Sequence, residues 1–168
     1  MDGTASNEKN IEVLLVDDEE NIRKTSAIII EHYLTNVKVN PYEKPENVLD
    51  DILNKNKHYD LLITDFKMPG MTGIELLTRI YESGKNQKVF QQSILITGTR
   101  DGVEEYNRDH ANKPELIVRN IVDKPFLNHD DKKQDQTISM PESLRDANPL
   151  VHKVYSTLKE RGYEVKVA

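Results

Sequence analysis

The chain has no cysteine, which excludes disulfides, thiolate metal sites and cysteine nucleophiles together. It has no long apolar run either. The longest stretches, such as Val13 to Val16 and Ala27 to Ile30, fall far short of the ~20 residues that span a bilayer. Residues 1–10 are polar and carry no apolar core behind a basic start, so no secretory leader is read there and a flexible tail is the expectation for residues 1–10. Lysine and arginine number 23 against 29 acids, for a net charge of −6. That balance lacks the basic footprint a nucleic-acid backbone demands, but leaves room for a metal cation. The five histidines, His32, His58, His110, His129 and His152, show no ligand spacing and read as surface residues. No internal repeat is visible. With 168 residues, the chain is long enough for one domain with a true core.

What is present is an alternation of short apolar runs and helical stripes. Glu12 to Val16 reads as a strand buried on both faces, ended by Asp17 and Asp18. Residues 21–34 follow with helical periodicity. Val37 to Val39 predicts a short edge strand, and Pro45 opens a helix striped by Val48, Leu49, Ile52 and Leu53. Leu61 to Thr64 is a third strand, ended by Asp65. The Met68-Pro69-Gly70-Met71 loop then leads to a helix bearing Ile74, Leu76, Leu77 and Ile80, stopped near Gly84. Ile94 to Thr97 is the fourth strand. Residues 101–117 look helical but thinly apolar, with a break at Pro114. Ile121 and Val122 begin a fifth strand. Residues 127–140 form a polar loop. A last helix is predicted over residues 141–161, with Gly162 as its cap and residues 163–168 trailing off. Such alternation implies a parallel sheet with helices on both faces and right-handed crossovers.

In an open parallel sheet, ligands gather at the carboxyl ends of the strands. Asp17, Asp18, Asp65, Thr97 and Lys124 all fall there. Taken singly, each is an ordinary turn or surface residue; five together on one edge are not. Three clustered carboxylates repel unless one keeps its proton or a cation joins them. Magnesium suits such a set, since it prefers hard oxygen ligands and keeps several waters. A carboxylate is also a competent phosphoryl acceptor, in a reaction that needs little beyond positioning and charge neutralisation.

Four segments resemble the signature blocks of bacterial response-regulator receiver domains. They are Leu14 to Glu19, Ile63 to Gly73, Ile94 to Gly98 and Asp123 to Phe126, in the family's order. The resemblance covers residues 11–126. It implies a flavodoxin-like α/β fold, doubly wound on a five-stranded parallel sheet of order 2-1-3-4-5. It also implies that Asp65 accepts the phosphoryl group and that Asp18 and Asp65 bind Mg2+ directly, with Asp17 assisting. Lys67 would lend its backbone carbonyl to the metal, and Thr97 and Lys124 would contact the phosphoryl oxygens. A cis Lys124–Pro125 bond would aim the lysine. The implied donor is a sensor histidine kinase or a histidine phosphotransfer protein. The implied output is contact with a downstream protein in the cytoplasm, without nucleic acid or membrane. Two departures stand out. Ile121 occupies a position where the family often has an aromatic switch residue, and a polar stretch separates Phe126 from the last helix.

The domain reading is therefore a stand-alone receiver over residues 11–126, the loop 127–140, and a C-terminal helix and tail over 141–168 packing on it. The alternative within the family is a degenerate receiver acting as a phosphorylation-independent adaptor, against which the full set of acids, Thr97 and Lys124 argues. An aspartate-nucleophile phosphatase wants an acid two residues after its nucleophile, where Lys67 stands. A DNA-binding output module needs more than one helix and a basic face.

Overall fold

A computed structural model describes residues 10–124 and 140–168. Five strands form one parallel sheet in the order β2-β1-β3-β4-β5. They are β1 (Ile11–Val16), β2 (Val37–Tyr42), β3 (Leu61–Asp65), β4 (Ser93–Thr97) and β5 (Ile121–Asp123). Among the described residues, five α-helices connect and cover them: α1 (Glu20–Tyr33), α2 (Pro45–Leu49), α3 (Gly73–Glu82), α4 (Asp101–Asp109) and α5 (Pro149–Glu160).

Strand alternation divides the core into two layers. Ile11, Val13 and Leu15 of β1 point to one face with Ile63, Ile94 and Ile96, where Ile30 of α1 and Leu150, Val151, Val154 and Leu158 of α5 cover them. Leu14 and Val16 point to the other face with Leu62 and Leu95, under Val48, Ile74, Leu77, Ile80 and Val103 from α2, α3 and α4. Both faces of the central strands are dry, which explains why they read as continuous apolar runs. Three successive isoleucines in α1 divide accordingly: Ile30 is buried, whereas Ile28 is the exposed large apolar residue among the described ones.

Several elements depart from expectation. β2 extends past Val39 to Tyr42 and includes Pro41, which an edge strand tolerates because the missing N–H has no ladder to complete. α2 does not continue as a regular helix. Asp50–Asn54 widens into a π-helical turn. α4 ends at Asp109, short of Pro114, and a 3-10 turn follows at Pro114–Leu116. The helix predicted from residue 141 starts only at Pro149, after a single 3-10 turn at Glu142–Leu144. Proline lacks the N–H an interior helical position must donate and suits a first turn instead. Asn148 caps that turn, its side chain accepting from the Val151 N–H at 3.0 Å.

Residues 163–168 do not trail off. Val167 bridges Leu34 in antiparallel fashion, the Thr35 N–H donates to the Lys166 carbonyl, and Val165 is buried. His152, expected on the surface, is half-buried with Nε2 2.6 Å from the Leu144 carbonyl. No helix among the described residues is long and apolar enough to cross a membrane.

Candidate functional site

The strand registers bring the carboxyl ends of β1, β3, β4 and β5 to one edge. Val16 lies opposite Thr64, Asp65 opposite Ile96, and Thr97 opposite Asp123. The residues that end these strands, Asp17, Asp65, Thr97 and Lys124, therefore stand side by side. The ladder continues one step past β5, where the Lys124 N–H donates to the Thr97 carbonyl at 2.7 Å.

Asp65 is held from beneath by a close backbone approach. Its carbonyl accepts the Thr64 hydroxyl, and the Phe66 carbonyl accepts the Gly73 N–H at 3.0 Å. A Cβ on Gly73 would lie 2.3 Å from the Asp65 carbonyl oxygen, so only glycine lets α3 start this near the strand. Thr72 and Glu75 form a reciprocal capping box that fixes the same start.

The site's charges converge on Lys124. Its Nζ lies 2.9 Å from Asp17 Oδ2, 3.1 Å from Glu19 Oε1 and 3.2 Å from Asp65 Oδ1. Asp17 and Asp65 are buried, and Asp18 is nearer solvent. One oxygen from each of Asp17, Asp18 and Asp65 lies within 4.8 Å of the others. Burial pushes the Asp65 carboxyl up to about 6, with the Asp17 charge adding to the rise and Lys124 opposing it. Burial also raises Asp17, against the pull of Lys124 and the Glu19 N–H. For Lys124 burial works the other way, but the surrounding carboxylates outweigh it and hold the ammonium well above its ordinary value. The cluster thus carries more negative charge than one ammonium satisfies. Asp17 Oδ2 is fully buried and accepts no hydrogen bond. Its contact with Lys124 is an ion pair off hydrogen-bond geometry. A buried carboxylate oxygen whose one close partner is that ammonium, with an oxygen of Asp18 and of Asp65 beside it, makes a set of hard donors that fits a divalent cation of the magnesium type.

The remaining predicted residues are placed less uniformly. Thr97 is buried at the edge, but its hydroxyl donates to the Thr99 carbonyl and accepts from the Thr99 N–H. It is engaged with its own loop rather than with Asp65. Lys67 is exposed in the β3–α3 loop. Ile121 is half-buried and packs with the α3–α4 layer. Pro125, with the predicted cis bond, lies outside the described residues, as do Phe126 and residues 127–139. Two contributors went unassigned in the sequence. Glu19 shares Lys124, a role signalled only by its place after two acids. Arg23 donates through Nη1 to the Asp17 carbonyl at 2.6 Å and so fixes the β1–α1 turn; no motif marked it.

This geometry coincides with a family match: the response regulator receiver domain model matches residues 13–127. The chain belongs to the response-regulator receiver-domain family. Among curated proteins, this receiver is 27% identical over 156 residues to the transcriptional regulatory protein FixJ of Rhizobium meliloti, covering 91% of this chain and 71% of that protein. It is 29% identical over 124 residues to a chemotaxis protein CheY homolog of Campylobacter jejuni, covering 69% and 82%. Among solved structures, the FixJ N-terminal domain superposes with a TM-score of 0.55 at 27% identity, over 70% of this chain and 83% of that one. A receiver domain protein of Clostridium thermocellum gives 0.57 at 16% identity, over 89% and 95%, a likeness of fold. The receiver's flavodoxin-like topology is thereby established, and with it a place in two-component signalling.

Proposed function

We propose that this receiver accepts a phosphoryl group on Asp65 from a phosphohistidine, and that the modification switches its protein contacts. The observation that supports this reading is the convergence of Lys124 Nζ on Asp65 Oδ1 at 3.2 Å and on the buried Asp17 Oδ2 at 2.9 Å. An Asp65 oxygen attacks phosphorus, the P–N bond breaks, and its electron pair leaves with the donor's imidazole nitrogen. The product is an acyl phosphate. Lys124 neutralises the transferring group, and burial of Asp65 limits competing water. Thr97 exchanges its bond to Thr99 for one to a phosphoryl oxygen, and the exposed Lys67 side chain tunes how long the group lasts.

Asp17, Asp18, Asp65 and the Lys67 backbone carbonyl are the residues that would hold Mg2+. Bound there, the ion supplies charge neutralisation for the carboxylates and the transferring oxygens. The donor is a sensor histidine kinase or a histidine phosphotransfer protein, and the output is a downstream protein in the cytoplasm, without nucleic acid or membrane as partner. Residues 11–126 form the receiver, with residues 141–168 completing its first layer.

Labelling with acetyl phosphate tests the proposal. The wild type takes up one phosphoryl group only when magnesium is present, and Asp65→Asn takes up none. Asp18→Asn shifts the magnesium titration to higher concentration. Unchanged labelling of Asp65→Asn, or an unmoved titration, contradicts these assignments.

A further inference from the structure

One ion pair beside the site has no role in the chemistry above. Arg100 grips the Asp123 carboxylate in two-pronged fashion, with Nε 2.7 and 2.9 Å from its two oxygens and Nη2 2.6 Å from Oδ2. Its place in the chain is informative. Arg100 closes the short turn that begins at Thr97, and Asp123 immediately precedes Lys124. The turn is otherwise shut by Thr97 itself, whose hydroxyl is committed to the Thr99 backbone. Two side chains meant for the phosphoryl oxygens are thus tied together by a clasp between their chain neighbours.

We propose that Arg100 and Asp123 are positioning residues that hold the Thr97 turn in its unphosphorylated arrangement. The proposal rests on Asp65 being the acceptor. For Thr97 to reach a group on Asp65, its hydroxyl must leave Thr99 and the turn must open. The clasp anchors the far end of that turn on β5 and so disfavours opening. Coupling between two such events is reciprocal. Breaking the clasp therefore tightens binding of a phosphoryl mimic, and the mimic loosens the clasp. The pair is 49% and 40% exposed, which sets the size of the effect at about two- to fivefold, the range an exposed ion pair supplies.

Beryllofluoride with magnesium serves as the probe, titrated into the full chain and followed by the amide resonances of Phe66, Thr97 and Lys124. Arg100→Ala and Asp123→Asn each tighten binding about two- to fivefold. The charge-swapped double variant, Arg100→Asp with Asp123→Arg, returns toward wild type. Magnesium affinity in the absence of beryllofluoride stays within error of wild type, and the melting temperature falls by no more than the few degrees that loss of one exposed ion pair costs, whereas a general packing defect would weaken both. Wild-type affinity in both single variants, or weaker binding, overturns the clasp while leaving Asp65 as acceptor. Undiminished beryllofluoride binding by Asp65→Asn overturns the acceptor assignment itself, and the clasp with it.

Discussion

At the scale of single residues, the site is a charge imbalance set by burial. Asp65 in the folded chain titrates near 6, above its ordinary 3.8, and Asp17 is raised as well. A carboxyl whose folded value is raised binds its proton more tightly in the native state. Its ionisation therefore costs stability as pH climbs from about 4 through 6. A tenfold difference in proton affinity between folded and unfolded chain is worth about 1.4 kcal/mol, so Asp65 contributes a loss of about 2–3 kcal/mol. Thermal melting in a chelating buffer should thus fall over that window, and Asp65→Asn should flatten the fall. Magnesium should restore stability at pH 7 and do little at pH 4. A melting temperature that rises through the window in chelator would contradict this balance. Gly73 poses a steric question instead. Gly73→Ala places a Cβ 2.3 Å from the Asp65 carbonyl, so α3 or Asp65 must move. Chemical denaturation should show a loss of about 1–3 kcal/mol, the cost of overpacking.

At the scale of elements, periodicity foretold most of what forms and little of where it ends. β1, β3 and β4 were legible because burial on both faces leaves an unbroken apolar run, and an acid or threonine marks the edge. Asn40 and Pro41 interrupt the apolar pattern of β2, so the sequence predicts a shorter strand than the Val37–Tyr42 that forms, and an edge strand accommodates both residues. The apolar stripe predicts a longer last helix than Pro149–Glu160. Leu144 and Ala147 continue its apolar stripe and are buried in the same layer, but they come from a 3-10 turn and the connection after it. The capping signal at Asn148-Pro149 outweighs the stripe. Asn148→Ala should cost about 1 kcal/mol in denaturant midpoint analysis, the ordinary value of an N-cap; no change would mean that Pro149 alone sets the start. The π-helical turn after α2 had no sequence signature. There, buried Asp51 takes Lys57, Tyr42 and Lys55 as partners, which hold it well below the usual carboxylate range.

At the scale of the whole molecule, the C-terminal segment belongs to the core rather than to its surface. Leu144, Leu150, Val151, Val154 and Leu158 are all fully buried against β1, β3 and β4. Beyond them, the tail fastens to the amino end of the sheet. Tyr163 donates to Asp60 Oδ1 at 2.8 Å and Arg161 to the Asp60 carbonyl, while Gly162 adopts the left-handed turn that directs the chain there. The five buried apolar side chains, at ~1.5–3 kcal/mol each, contribute about 8–15 kcal/mol, as much as the whole ~5–15 kcal/mol by which domains are stable. Truncation after Phe126 should therefore abolish the cooperative melt, and a truncated chain with an unaltered transition would show the segment to be an appendage. The strand-end acids, Thr97 and Lys124 were legible in sequence because parallel sheets place ligands at those ends. Arg23, Arg100 and the commitment of Thr97 to Thr99 were not, because they depend on how loops close rather than on which residues end strands.

The central claim is that the acyl phosphate forms on one particular carboxylate. Reductive trapping addresses it directly. Borohydride converts an aspartyl phosphate to homoserine, and peptide mass spectrometry locates the product. After treatment with acetyl phosphate and magnesium, homoserine should appear at position 65 alone. Trapping at another acid, with residue 65 unchanged, would contradict the account.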